Sequence, residues 1–284
     1  MLTYFPQINS NFIMTQLPYS FAPAYETVAV DMESGMRWSF SRRGNLGLIG
    51  FLSGPSVRFG LNFPSITDDE VGALLSFFRT CKGRYHSFRL LDPGGNLLQY
   101  SEDFSKAYWD KSAGVSIAGP AADPFGGNLA TRLIGSSYSS QLTAIVGPSD
   151  GGLNGFVVNC SAWLMAEHEG QSVAIGFVDH SFSRIDSAVF ALSSSNWRRV
   201  SFTTTLWDDD YFRVILGGPG AWVGSMVFVY GMQVTPMKGE GAYVRSPAGY
   251  GYHPNCRFDT DGFVRQALGP NQNSLVLPCV EFSP

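Results

Sequence analysis

The chain has 284 residues, of which 44% are hydrophobic and 15% are charged, and its formal net charge is −4. This composition excludes a disordered chain and favours globular cores, with two domains as the simplest division of this length. The charge is mild and no Lys/Arg run is present, so we expect no nucleic-acid partner. The N-terminus lacks the pattern of a secretion signal and no apolar run is long enough to cross a bilayer, so we expect synthesis in the cytosol and no membrane insertion.

One helix is predicted in the N-terminal part, at Thr67–Thr80. Thr67 and Glu70 have the spacing of a capping box, in which the threonine caps the first turn and the glutamate reaches back to it. Apolar residues recur at i, i+3, i+4 and i+7 and predict one stripe that packs on a sheet: Val71, Leu74, Leu75 and Phe78. A strand is predicted at Tyr85–Leu91, ending at the turn Asp92-Pro-Gly-Gly.

Residues 97–237 form a stretch rich in serine, glycine and aromatic residues. Four segments in it combine β-branched and aromatic residues between Gly, Ser or Asp turns: Gly155–Ala166, Gln171–Val178, Arg198–Leu206 and Val223–Val234. Strands at this spacing, with no helical pattern between them, predict a β-sandwich or jelly roll. Residues 238–284 have strand signals of their own. The predicted fold class is therefore mainly β, with one packed α-helix.

Segments at the two ends of the chain resemble the distal tail proteins of bacteriophages, a family shared with gene transfer agents. The similarity lies in a Phe-Pro start, an acidic-x-Ser-Gly turn and an Arg-rich strand in residues 5–45, in FFRTCKGRYHSFRLLD after the helix, and in the closing CRFDTDG and LPCVEF. This resemblance implies a small β-sandwich- or β-barrel-like domain, made of residues 1–96 and 238–284, that forms a hexameric ring at the distal end of a tail tube. We expect the strand around Leu275–Phe282 to pair within the sheet built by residues 1–96.

The middle of the chain resembles a different module. The segments NLLQYSEDFSKAYWDK, NWRRVSFTTT and VYGMQVTPMKGEGAYVRSP are similar to the opening, a later strand and the closing motif of a carbohydrate-binding-like β-sandwich of phage tail and fibre proteins. This resemblance implies that residues 97–237 form a jelly-roll-like sandwich, inserted into the distal tail domain and projecting outwards. The implied partners are further copies of the chain, tail tube and hub or baseplate proteins, and host surface glycans, in the virion at the tail tip.

Glycan-binding residues are predicted where aromatic side chains flank Gly/Asp turns, at Trp207, Tyr211 and Trp222. Sugar rings stack on exposed aromatic rings, while nearby carboxylates such as Asp208 and Asp210 bond hydroxyl groups. The alternatives are loop aromatics that bury an edge, and an acidic run that forms a polar turn or clamps calcium. Three further tryptophans are predicted to lie in the core: Trp109, Trp163 and Trp197.

Three arginines near a predicted hairpin, Arg37, Arg42 and Arg43, alternate with apolar residues. The simplest interpretation is a solvated sheet face. In a ring, arginines on such a face would pair with acids of the next copy, so the family resemblance makes them candidates for the ring interface.

No catalytic group is predicted. Gly147–Gly151 matches G-x-S-x-G, but the glycines that follow prevent the helix that a nucleophile elbow needs. Glu167, His168 and Glu169 are neighbours at a strand end and point to alternating faces, so they do not converge. His253 and Cys256 could hold zinc, but two ligands without a second pair are weak support.

The four cysteines are far apart and are predicted to be free, buried thiols. We therefore expect no metal, no cofactor and no enzyme activity. Two other classes of function remain open. One is a free-standing lectin-like protein or a fibre-associated adhesin. The other is a glycan hydrolase, which would need two facing carboxylates about 5–9.5 Å apart.

Overall fold

The computed structural model describes residues 56–92, 95–137, 139–147, 153–207, 209, 211–217, 225–236, 238–247 and 251–282. Within them the chain divides into two compact units. Residues 91–252 form what we call the sandwich unit, and residues 56–90 with 253–282 form the terminal unit. The fold class is mainly β, as predicted, with one α-helix among the described residues. No helix in this part of the chain is long and apolar enough to cross a membrane.

In chain order the elements are β1 (Ser56–Ile66), α1 (Asp68–Thr80), β2 (Phe88–Leu91), β3 (Asp110–Lys111), β4 (Val115–Ala121), β5 (Ala130–Gly135), β6 (Gln141–Ile145), β7 (Val157–Ala166), β8 (Ser172–Asp179), β9 (Ile185–Ala191), β10 (Arg198–Thr205), β11 (Phe212–Gly217), β12 (Ser225–Thr235), β13 (Tyr252–Phe258), β14 (Gln266–Gly269) and β15 (Gln272–Phe282). The four strands predicted in the middle of the chain correspond to β7, β8, β10 and β12.

The terminal unit is built on a sheet with the strand order β1-β15-β13-β2, and β14 pairs with β15. β1 and β15 are antiparallel, with Ser56 opposite Phe282 and Phe63 opposite Leu275. The predicted pairing of the strand around Leu275–Phe282 with the N-terminal part of the chain is therefore confirmed. Whether this unit forms a ring stays a prediction, and Arg37, Arg42 and Arg43 lie outside the described residues.

The helix α1 begins as predicted. The Thr67 hydroxyl accepts a hydrogen bond from the Glu70 backbone N–H at 3.4 Å, and Glu70 Oε2 accepts one from the Thr67 N–H at 2.6 Å. Both bonds of the capping box are thus present, and three acidic residues in the first turn complement the helix dipole.

The buried face of α1 differs from the prediction at one position. Val71, Leu74, Phe77 and Phe78 are buried, whereas Leu75 is half-exposed. At about 100° per residue, the buried residues centre near Leu74, and Leu75 is turned about 100° away from that centre. The ring of Phe77 lies 5.3 Å from that of Phe88, and the ring of Phe78 lies 4.9 Å from that of Phe258, between centroids. These aromatic contacts hold the helix on the sheet.

The sandwich unit has two five-stranded sheets. Sheet I has the order β10-β7-β12-β5-β4 and sheet II the order β3-β6-β11-β8-β9, and their described pairs are antiparallel. Side chains of both sheets form one hydrophobic core, which is the arrangement expected when each sheet buries one face. Trp109 lies in this core, as predicted.

A buried amide ties the ends of the sandwich unit together. The Asn96 side chain donates hydrogen bonds to the carbonyls of Met232 and Val244, at 3.0 and 3.2 Å. Its oxygen accepts from the N–H groups of Leu98 and Val234. Since all four bonds are satisfied inside the unit, the segments before β3 and after β12 are fixed to its core.

The cysteines are free and buried, as predicted: Cys81, Cys160, Cys256 and Cys279. Burial raises the pKa of the Cys81 thiol to about 12, and it raises the pKa values of the other three as well. These groups are therefore uncharged hydrophobic fillers in the native protein.

Candidate functional site

Two of the predicted glycan-binding residues lie in the described connection between β10 and β11. The Trp207 ring is half-buried against the core, with the Arg184 guanidinium 4.1 Å above its centroid and the Phe212 ring 5.2 Å away. The Tyr211 ring is half-buried and lies 5.9 Å from the His180 ring. The two rings thus pack on different neighbours, and the arginine occupies one face of Trp207. Trp222, Asp208 and Asp210 lie outside the described residues, so their glycan role stays a prediction.

The acidic run contributes a structural contact at Asp209. Its carboxylate accepts a hydrogen bond from the His180 backbone N–H at 3.0 Å and also contacts His180 Nδ1. This joins the β10–β11 connection to the loop after β8. The Asp209 carboxylate is therefore engaged within the protein itself.

The cluster Glu167-His168-Glu169 does not converge, as predicted. The Glu167 carboxylate accepts the Met226 backbone N–H at 2.9 Å, and the Glu169 carboxylate accepts that of Ser194 at 2.9 Å. The two carboxylates therefore serve different strand connections.

His253 and Cys256 both lie on β13, three residues apart, so they point to opposite faces of the sheet. His253 Nδ1 lies 2.9 Å from Glu281 Oε2. No group of three or more metal-ligating side chains occurs in the part of the chain that the structure describes. Ser149 of the G-x-S-x-G segment lies outside that part.

The outer face of sheet I carries a group of aromatic side chains. Along β7, Val158, Cys160 and Leu164 point into the core, so Asn159, Ser161, Trp163 and Met165 point outwards by alternation. The prediction that Trp163 lies in the core is therefore wrong. Trp197 is half-buried rather than buried.

Strand register aligns the outward side chains in rows. Arg199 lies opposite Trp163, which lies opposite Tyr230. In the next row, Met165 lies opposite Phe228, and Phe228 lies opposite Arg132. Directly opposed residues of antiparallel strands share a face, with Cβ atoms about 4.5–5.5 Å apart. We call this surface the aromatic face; its rings are those of Phe125, Trp163, Phe228, Tyr230 and Tyr243.

Phe125 comes to this face from the loop between β4 and β5. Its side chain is 69% exposed, yet its ring lies 5.4 Å from that of Trp163 and 5.8 Å from that of Tyr230, between centroids. The plane of the Phe125 ring makes an angle of 74° with that of Trp163 and 65° with that of Tyr230. The rings therefore form a corner rather than a flat stack.

A buried carboxylate holds this loop in shape. The two Asp123 oxygens accept backbone N–H groups of Phe125, Gly127 and Leu129 at 2.8, 3.1 and 3.2 Å. Burial alone would raise the pKa of Asp123, but these hydrogen bonds outweigh it and hold the pKa below its ordinary value. Phe125 is therefore exposed on a loop with a fixed shape.

On the other side of Trp163, residues 240–247 lie against the face. The Tyr243 ring is 5.3 Å from that of Trp163, and its hydroxyl donates to Glu102 Oε1 at 3.1 Å. The Tyr230 hydroxyl donates to the same oxygen at 2.8 Å. Burial, and the charge of Glu102 next to each hydroxyl, raise the pKa values of both tyrosines well above their ordinary range. Both hydroxyls are therefore neutral donors.

Charged groups border the rings. Arg245 Nε lies 2.8 Å from Glu102 Oε2, and this Arg245 side chain is 65% exposed. The contact is an ion pair without hydrogen-bond alignment, since Oε2 accepts no hydrogen bond. The Arg199 guanidinium lies 4.4 Å above the Trp163 ring and pairs with Glu240 at 2.9 Å. The face thus combines one exposed apolar ring and several half-buried ones with donors and acceptors at its border.

Sequence reasoning missed this face, although one signal was present. Trp163 is in phase with the polar residues Asn159 and Ser161, which marks it as outward-facing. No comparable signal identifies Phe125 or Tyr230.

No protein-family model and no curated protein matches the chain. Among solved structures, the CBM22-1 xylan-binding domain of Xyn10C from Paenibacillus barcinonensis is 14% identical with a TM-score of 0.40, covering 52% of this chain and 97% of that chain. TmCBM61 in complex with β-1,4-galactotriose is 14% identical with a TM-score of 0.36, covering 50% and 98%. The enzymatically active domain of tailspike protein 4 of bacteriophage CBA120 is 12% identical with a TM-score of 0.37, covering 51% and 22%. Likenesses at this level assign no function.

Proposed function

We propose that the sandwich unit binds carbohydrate through the aromatic face. The observation that carries the proposal is the position of Phe125, a large apolar ring that is 69% exposed on a loop fixed by a buried aspartate. A ring that is already held in place next to other rings offers a ligand an apolar surface with little ordering cost on binding. Together with the half-buried ring of Trp163, Phe125 forms a corner that fits the apolar face of a sugar ring.

The border of the face supplies the polar contacts that a sugar needs. The exposed Arg245 guanidinium and the half-exposed Glu240 carboxylate stand beside the rings. Both belong to ion pairs that keep spare donors and acceptors for hydroxyl groups. A small number of fixed polar groups around an apolar surface is the usual composition of a ligand site.

The same geometry favours binding over cleavage. A glycoside hydrolase needs two carboxyl groups that both face the scissile bond. Beside the aromatic face, Glu102 is buried and engaged with two tyrosine hydroxyls and Arg245, while Glu240 pairs with Arg199. Each carboxylate thus has a structural partner.

The test is a calorimetric titration of glycans selected on an array, with a matched pair of variants. Phe125→Ala removes the exposed ring of the face, while Phe182→Ala removes a ring that is 42% exposed on the β8–β9 loop of sheet II. Phe125→Ala should weaken binding about tenfold or more, equal to about 1.4 kcal/mol, and Phe182→Ala should leave the affinity unchanged. Equal effects of the two variants, or a native protein that binds no glycan, would refute the proposal.

A second function is proposed for the whole chain, as a ring subunit of a phage tail tip that displays the sandwich unit. Its support is the antiparallel pairing of β1 with β15, which brings segments that precede and follow the sandwich unit in the sequence into one sheet. A free-standing lectin needs no such second unit. In a closed ring, several weak glycan contacts would add up to an avidity gain of about 10²–10⁴.

This assembly is tested by light scattering of the purified chain and by electron microscopy of phage particles. The expected result is a hexamer in solution and several copies around the tail near its tip. A chain that stays monomeric at high concentration and is absent from the tail would exclude this role and leave the glycan-binding proposal standing.

A further inference from the structure

One cation on the aromatic face, Arg132, has no hydrogen-bonded or ion-paired partner among the described residues. Arg132 lies on β5 directly opposite Phe228, so its side chain shares the outer face of sheet I with Phe228 and Met165. Its Nη2 lies 3.7 Å from the point where a Cβ of Gly119 would stand, on the edge strand β4. Because Gly119 has no side chain and the register of β4 shifts at this position, the guanidinium extends over an open part of the sheet.

The other arginines beside the rings are paired, whereas Arg132 is not. Arg199 pairs with Glu240, and Arg245 pairs with Glu102. For Arg132, no side-chain hydrogen bond or ion pair joins it to any residue that the structure describes, and its Nε is shielded from water without an acceptor. A guanidinium stays charged at any physiological pH, so shielding its Nε without an acceptor costs free energy.

Two acidic side chains of neighbouring segments in the described part of the chain have other partners. The Asp123 carboxylate holds the Phe125 loop through three backbone N–H groups. Glu167 accepts the Met226 N–H, in the row next to that of Arg132. Among the described residues, Arg132 is thus left without an acidic partner in the same row as Phe228 and Met165. An anion from outside the chain would complete it.

We infer that the glycan bound by the aromatic face carries an anionic group, a carboxylate or a phosphate, and that Arg132 binds this group. The inference rests on the proposed carbohydrate binding. The planar guanidinium presents two parallel N–H groups to a carboxylate or phosphate, which makes such pairs stronger than neutral hydrogen bonds. β5 and β7 are two strand spacings apart, about 10 Å. A ligand that reaches both Trp163 and Arg132 therefore spans more than one sugar ring.

The test uses an array of neutral, uronate-containing and phosphate-containing glycans, followed by titration of the strongest hits. Arg132→Gln removes the cation, while Arg198→Gln removes the same charge from an exposed arginine of β10. Arg198 lies opposite Leu164, a core-facing residue, so it is not on the aromatic face. The strongest hits should be anionic. Arg132→Gln should weaken them about 10–100-fold, the value of a hydrogen bond to a charged group, and Arg198→Gln should have no such effect.

Further arms make the outcomes distinct. Arg132→Lys keeps the charge without the two parallel N–H groups of the guanidinium. Its affinity for the anionic glycans should lie between those of the native protein and Arg132→Gln, which excludes misfolding as the cause of the loss. Uronate hits without phosphate hits, or the reverse, identify the source of the anion. If the native protein prefers neutral glycans and Arg132→Gln binds them equally well, the inference is overturned while carbohydrate binding stands. If the native protein binds no glycan of any class, the proposed function itself fails.

Discussion

Glu102 offers a measurable test of how the aromatic face is held together. Its Oε1 accepts the hydroxyls of Tyr230 and Tyr243, and its Oε2 pairs with Arg245. Glu102→Ala removes both acceptor atoms. A hydrogen bond to a charged group contributes about 1.5–3 kcal/mol. Since the Tyr243 hydroxyl keeps a second partner, Ser101 Oγ at 2.9 Å, we expect a total loss of about 3–5 kcal/mol of unfolding free energy.

Two further variants separate the hydrogen bonds from the ion pair. Glu102→Gln keeps an oxygen for both hydroxyls and loses only the charge. The pair with Arg245 is screened by water, because that arginine is 65% exposed. Arg245→Ala should therefore cost less than about 1 kcal/mol. Glu102→Gln makes the shared acceptor neutral and should cost about 1–2 kcal/mol, still clearly less than Glu102→Ala.

Urea unfolding followed by tryptophan fluorescence measures these differences, since the sandwich unit contains Trp109 and Trp163. The reasoning is refuted if Glu102→Ala unfolds within about 0.5 kcal/mol of the native protein. It is equally refuted if Glu102→Gln costs as much as Glu102→Ala, because the charge and not the shared acceptor would then hold the face.

Two other predictions concern the helix and the Phe125 loop. Leu74→Ala should lower the unfolding free energy by about 2–5 kcal/mol, because Leu74 is fully buried. Leu75→Ala should cost clearly less, because Leu75 is half-exposed. Equal losses in urea unfolding would contradict the observed buried face of α1. The pKa of Asp123 is held below its ordinary 3.8, so its stabilising contribution is present above that pH and is lost as the pH falls below it towards the folded-state value. The native protein should therefore exceed Asp123→Asn in stability at pH 6, with the difference shrinking towards pH 3, and a pH-independent difference would contradict this.

The capping-box spacing correctly predicted where α1 begins, whereas the apolar spacing gave one wrong residue, Leu75, for its buried face. The capping box depends only on Thr67 and Glu70, three positions apart, so the sequence contains all the information it needs. Which arc of the helix is buried depends on where Phe88 and Phe258 stand in the sheet. That placement is tertiary, and it favoured Phe77 over Leu75.

The candidate site was harder to predict because it depends on register between distant strands. The apolar composition of β7 suggested a buried Trp163, although its phase with Asn159 and Ser161 indicated the opposite. Its pairing with Tyr230 follows from the alignment of β7 with β12, which no local pattern specifies. That Arg132 has no acidic partner among the described residues depends on the contacts of distant segments, since Asp123 and Glu167 are held by other groups.

The chain enters the sandwich unit after β2 and leaves it at β13. These two strands are neighbours in one sheet. The Asp92 N–H donates to the Gly251 carbonyl at 2.9 Å, which brings the outgoing and returning segments side by side. Closing a loop costs entropy that grows only slowly with its length, so the distance between its ends matters more than the number of residues between them. Any folded module with similarly close ends would fit between these strands without shifting their register. Recombination at this position would exchange one inserted module for another and leave the supporting sheet intact.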